Sequence, residues 1–160
     1  MILIADSSAL ITLSIIKKLE ILEKLFGDVF IPQAVFNEIT KVNKRESPEL
    51  KEYCQNRIKT ISTNINFNIS LGIGESEAII LYKEMEANFF LCDDKKAKKF
   101  AKSFNINVIG SLGVLLKAKE KGYVTKIKPF VEILKQSNIF IDDKIYRLVL
   151  AKAKELDKHP

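Results

Sequence analysis

At 160 residues, with 47% of them apolar and 29% charged, the chain has the size and balance of one globular domain with room for a core. Its single histidine, His159, is penultimate, which excludes a Ser-His-Asp triad, a histidine general base and a multi-histidine metal centre, so any catalysis falls to carboxylates or lysines. The net charge of +6 favours polyanionic partners, although lysine-rich usage carries little weight alone.

Residues 2–5 form a short apolar run that predicts a buried strand, ended by the helix N-cap chemistry of Asp6-Ser7-Ser8. Two short helices follow, the second carrying Leu19, Leu22, Leu25 and Phe26 and stopping at Gly27. Residues 29–31 predict a second strand, and Pro32 then opens a helix with the apolar stripe Val35, Phe36 and Ile39. A polar linker at 41–47 leads to a helix from Ser47-Pro48 to roughly Arg57, and 61–71 reads as irregular. Gly72-Ile73-Gly74 introduces a helix from Glu75 to about Ala87, followed by a third strand at 89–92. Asp93-Asp94 caps the next helix, whose inner face is Ala97, Phe100, Ala101 and Phe104. Val108-Ile109 is the core of a fourth strand, and Ser111 opens a helix running to about Gly122. Two further helices begin near Pro129 and at Asp142.

Strands that alternate with helices need crossover connections, so the expected fold is three-layer α/β/α with a parallel sheet of about four strands. Cys54 and Cys92 stand far apart and match neither a disulfide framework nor a cysteine zinc site. Reduced thiols, the absence of a leader-like start and apolar runs shorter than a membrane span lead us to expect a cytoplasmic protein with no membrane contact.

Ligands of open parallel sheets bind beyond the carboxyl ends of the strands. Asp6 follows the first strand, Glu38 lies within two turns of the helix start after the second, and Asp93 and Asp94 follow the third. Glu75 opens the helix that feeds that third strand, so it also falls on the carboxyl edge. By helical phase, Glu75 shares a face with Ala78, Ile79 and Tyr82, Asp94 stands three residues before Ala97, and Glu38 three after Val35. Any one of these acids alone is better explained as a cap, as a partner of a helix dipole or as a solvated flank. Four segments bringing acids to one rim are harder to explain that way, because unpaired buried carboxylates are costly and repel one another. An all-oxygen donor set selects hard ions, so magnesium or manganese is expected rather than zinc. Such an ion binds a phosphate oxygen, activates water and stabilises charge on the displaced oxygen, with no need of histidine.

The ordered set Asp6-Ser7-Ser8, Pro32-x-x-Val35-x-x-Glu38, Gly74-Glu75-Ser76-Glu77-Ala78, Asp93-Asp94 and Gly110-Ser111-Leu112-Gly113 resembles the PIN-domain family over roughly 1–122. The resemblance implies one PIN-like domain over 1–160, with a core at 1–122 and a C-terminal helical extension at 123–160. It implies a magnesium- or manganese-dependent endoribonuclease leaving 5′-phosphate and 3′-hydroxyl ends. Many relatives are VapC-type toxins, usually homodimeric and restrained by a small antitoxin, so RNA, an antitoxin protein and a second copy are the expected partners. By position, Asp6, Glu38, Glu75 and Asp94 form the acidic quartet, and Ser8 orients Asp6 or a metal-bound water. Asp6, Glu75 and Asp94 are candidate metal ligands. Asp93 is an alternative to Asp94, and Glu77 a second-tier candidate. The family's third acid is often Asp in the toxins, where this chain has Glu75, and the two last helices exceed the minimal fold.

Lys95, Lys98 and Lys99, with Lys96 and Lys102, are placed to hold RNA phosphates, or simply to form a solvated helix face. Gly72-x-Gly74 is no dinucleotide fingerprint, because Glu77 takes the third glycine position. The segment 139–156 could dock a partner, though packing on the sheet explains it as well. Two other readings stand beside the nuclease. One is a catalytically idle PIN fold that binds RNA or protein. The other is a receiver-like signalling domain, which wants an acidic pair after the first strand where this chain has Asp6 followed by serines.

Overall fold

The computed structural model describes residues 1–41, 47–63, 71–137, 139 and 141–157. The middle of the expected polar linker (42–46), most of the irregular stretch (64–70) and His159 lie outside the described residues. In chain order the elements are β1 (Ile2–Ala5), α1 (Ser7–Ile15), α2 (Ile21–Phe26), β2 (Asp28–Pro32), α3 (Gln33–Lys41), α4 (Ser47–Gln55) and β3 (Ile58–Lys59). There follow α5 (Ile73–Glu84), β4 (Phe89–Leu91), α6 (Lys95–Ser103), β5 (Val108–Ile109), α7 (Ser111–Glu120), α8 (Lys128–Gln136) and α9 (Asp143–Lys152).

Among the described residues the strands form one five-stranded sheet in the order β3-β2-β1-β4-β5, and every pair is parallel. The sequence predicts about four strands. The extra one, β3, pairs Ile58 with Ile31 and Lys59 with Pro32 at the sheet edge, and two residues are too few to carry a period-two signal. Pro32 therefore closes β2 instead of opening α3. The chain builds β1, β2 and β3 outward on one side, then crosses over through α5 to start β4 on the other side of β1. The strand order thus reverses between β1 and β4, and crevices at such switch points hold ligands in open α/β sheets. A receiver-type sheet runs 2-1-3-4-5; the four strands β2-β1-β4-β5 here follow the same order, and the sheet departs from it by the added edge strand β3 and the lack of a further strand beyond β5 among the described residues.

Alternation along each strand sends side chains to opposite faces and divides the core in two. Leu3, Ala5 and Leu91 pack with Leu10 and Leu13 of α1 and Val114 and Leu115 of α7. Ile4, Phe90 and Cys92 pack with Ala78 and Ile79 of α5 and Ala97 and Ala101 of α6. The last two helices are built into the first of these cores through Val131, Leu134, Val149 and Leu150; within 139–156, Ile141, Val149, Leu150 and Ala153 are buried, while Leu148 and Leu156 stay exposed. Gly27 turns the chain from α2 into β2 at a φ of +89°, where a side chain would be strained. Cys54 and Cys92 are both buried free thiols, and no helix among the described residues is long and apolar enough to cross a membrane.

Candidate active site

The register Ala5↔Leu91 brings the ends of β1 and β4 side by side, and the Asp6 N–H donates to the Leu91 carbonyl at 2.9 Å. Asp6 and the Asp93-Asp94 pair therefore leave adjacent strands at the switch point. Asp6 is 1% exposed. Its Oδ2 accepts from the Ser8 hydroxyl at 3.2 Å and from the Cys92 thiol at 3.5 Å. Its Oδ1 is buried and, among the described residues, the one side-chain polar atom that is buried without a partner. Burial, followed by the negative charges of Glu75 and Glu38, pushes the Asp6 pKa up from 3.8 to about 6. The same burial, with Asp6 next to it, raises the Cys92 thiol well above its ordinary range, so this cysteine is an inert hydrogen-bond donor.

Glu38 reaches the rim from α3 and is held at both oxygens. Oε2 accepts from the Ser7 hydroxyl at 2.8 Å, and Oε1 from the Gly74 N–H at 3.1 Å. The second contact requires glycine, because a Cβ at Gly74 would stand 2.2 Å from Glu38 Oε1. Gly72 plays a matching part for Glu75, whose Oε2 lies 2.2 Å from where a Cβ of Gly72 would be. The two glycines that spell no dinucleotide motif thus give two carboxylates room beside the start of α5. Neither has a positive φ, so space is what they supply.

The two aspartates after β4 have different surroundings. Asp93 accepts from the Ser111 N–H and from the Ser111 hydroxyl, each at 2.7 Å, which ties β4 to the start of α7. Its own N–H donates to Ser8 Oγ at 3.1 Å. Asp94 caps α6 by accepting from the Ala97 N–H at 2.8 Å, a bond that uses one of its two oxygens. Glu77 accepts from the Ala34 N–H at 3.2 Å at the start of α3. Lys95 and Lys99 are exposed on α6, while Lys98 is half-buried, with its Nζ beside Gly110 and Asp93.

Among the described residues no three His, Cys, Asp or Glu side chains close into a metal-holding group. What the structure does bring together is Asp6 with the charges of Glu75 and Glu38. The donors facing this point are carboxylate oxygens, and Asp6 holds an orphaned buried oxygen among them. That chemistry fits a hard divalent cation, which would relieve the mutual repulsion and give Oδ1 a partner. Ser7, Gly74 and Ser111 lie within the motifs that carry the family resemblance but had no role assigned to them from sequence, and Cys92 and Gly72 were not singled out for the site at all.

A model of the DUF3368 family, described as a PIN domain, matches residues 2–155, a span that includes α8 and α9. A solved structure of a PilT N-terminus domain protein from the hyperthermophilic archaeon Sulfolobus solfataricus P2 is similar with a TM-score of 0.56 at 22% identity. The match covers 72% of this chain and 91% of that one, a likeness of fold. No curated protein matches the chain.

Proposed function

The chain belongs to the PIN-domain family, whose members are commonly nucleases, and we propose that it is a divalent-metal-dependent endoribonuclease hydrolysing RNA phosphodiester bonds. The observation that carries this reading is the buried, unpartnered Oδ1 of Asp6 at the switch point, on a carboxylate whose pKa is raised by the charges of Glu75 and Glu38. Burying a carboxylate in that way costs stability and is retained where function needs it.

Asp6, Glu75 and Asp94 are the residues that would hold magnesium or manganese, with Glu38 completing the acidic set. When bound, such an ion supplies positive charge to the scissile phosphate and lowers the pKa of the attacking water. Ser8 donates to Asp6 Oδ2 and accepts from the Asp93 N–H, so one hydroxyl sets the position of Asp6 relative to the loop after β4. Ser7 and the Gly74 N–H fix both oxygens of Glu38 in the same way. Lys95, Lys98 and Lys99, on the first turns of α6, are positioned to attract the phosphates that flank the cut.

End-group analysis tests the chemistry. Hydrolysis by a positioned water predicts products with 5′-phosphate and 3′-hydroxyl ends, whereas 2′,3′-cyclic phosphates would show attack by the RNA itself and contradict the reading. The support of Glu38 makes a second prediction. Gly74→Ala drives a methyl into Glu38 Oε1 and should lower cleavage roughly 10- to 100-fold, as loss of supporting contacts does in metal sites. Glu38→Gln combined with Gly74→Ala should then lose little more than either change alone, measured as kcat/KM on one RNA.

A further inference from the structure

A cavity of about 250 Å³ opens beside the carboxylate rim, between the start of α7 and the last two helices. Its inner wall is aliphatic, with Leu112, Leu134, Ile141 and Ile145, and Lys95 and Lys98 stand at its polar side with Asp93 and Ser111. Two hydrogen bonds tie residues of the cavity wall to the proposed site. Asp93, which lines the cavity, donates its N–H to the same Ser8 hydroxyl that binds Asp6. Thr12, which also lines it, lies one helical turn beyond Ser8 and donates to the Ser8 carbonyl at 3.0 Å.

We propose that this cavity is a base-binding subsite, in which one nucleobase of the substrate RNA enters between α7 and α9 while Lys95 and Lys98 hold the phosphate attached to its nucleotide. The inference rests on the nuclease reading for the identity of the substrate. An RNA chain lying across the acidic rim carries on each nucleotide a flat ring with apolar faces and a polar edge, joined to a phosphate. The cavity presents the complementary pair, an aliphatic slot with two ammonium groups on its polar side. Its volume falls below the ~300–1,000 Å³ of pockets that take drug-sized ligands, which suits a single base. The Ser111 and Thr12 hydroxyls already donate to Asp93 and to the Ser8 carbonyl, and each still has lone pairs that can accept from a base edge. Helices α8 and α9 supply Leu134 and Ile145, so the C-terminal part of the fold acquires a role in choosing where the chain cuts.

Binding in EDTA separates this proposal from the nuclease reading. The full chain is titrated, by NMR or calorimetry, with AMP, GMP, CMP, UMP and ribose 5-phosphate. At least one mononucleotide should bind on the order of tenfold more tightly than ribose 5-phosphate, the scale of one buried base. Ile145→Trp, which fills the slot, should abolish that advantage. Lys98→Ala, at the polar side and outside the aliphatic core, should weaken mononucleotides and ribose 5-phosphate together. A thermal melt shows whether Ile145→Trp is folded; if it is not, Leu112→Trp fills the same slot from α7. Mononucleotides that bind no better than ribose 5-phosphate would overturn the proposal whether or not the protein cuts RNA, and would leave the aliphatic wall to a protein side chain. A base advantage that survives both filling variants would overturn it as well. Failure to cut RNA with the base advantage intact would count against the nuclease reading alone.

Discussion

Asp6→Asn should make the metal-free protein more stable near neutral pH and remove its nuclease activity in the same step. The Asp6 carboxyl has a pKa of about 6 in the folded protein against 3.8 in a free side chain. The folded state therefore holds its proton more tightly than the unfolded state. Below 3.8 both states are protonated and the contribution to stability is whole. As the pH rises to about 6 that contribution is lost, and above it the folded protein carries a buried charge worth about 3 kcal/mol of destabilisation. Asparagine keeps the shape without the charge, so the repulsion from Glu75 and Glu38 is removed. The melting temperature of the variant should exceed that of the wild type by roughly 5 °C or more at neutral pH, since each kcal/mol moves a domain of this size by about 2–4 °C. The gain should shrink as the pH falls through 6 and vanish below 4. Cleavage should drop on the order of a thousandfold, because the central ligand charge is gone. A variant that loses activity and stability together would make Asp6 an ordinary structural residue.

Asp94→Asn and Asp93→Asn should separate into two kinds of damage. Asparagine is as good an N-cap as aspartate, so Asp94→Asn keeps the bond from the Ala97 N–H and should leave the melting temperature almost unchanged. Its effect falls on charge, and if Asp94 is a ligand cleavage should fall by at least about a hundredfold. Asp93 uses its two oxygens on Ser111 at the start of α7, and an amide cannot accept at both positions. Asp93→Asn should cost about 1–3 kcal/mol, read from urea unfolding, with loss of activity that follows the loosened β4–α7 contact. The reverse pattern, an unaffected stability with abolished cleavage for Asp93→Asn, would make Asp93 the ligand and Asp94 the cap.

Much of this site was legible in the chain because its parts are local. An apolar run followed by Asp6, and another followed by Asp93-Asp94, place acids at strand ends whatever the order of the strands. The order itself needs the structure. That Asp6 and Asp93 leave neighbouring strands follows from the crossover through α5, which no local pattern encodes. The supports of Glu38 are equally non-local, since Ser7 and Gly74 lie 31 and 36 residues away in sequence. Gly72 and Gly74 looked like a failed nucleotide motif, and their purpose is seen only when the carboxylates beside them are in place. The edge strand β3 is too short to have a pattern. The cavity beside the rim is assembled from α1, α6, α7 and the last two helices, and its aliphatic residues carry no local pattern that marks them apart from core.

We propose that the carboxylates around Asp6 work through a divalent cation on RNA. The most direct measurement incubates labelled single-stranded RNA with the purified chain in EDTA, in magnesium and in manganese, beside the Asp6→Asn protein. Cleavage should require the metal, stop in EDTA and be absent from the folded variant. Cleavage that persists in EDTA, or equally in Asp6→Asn, would contradict it.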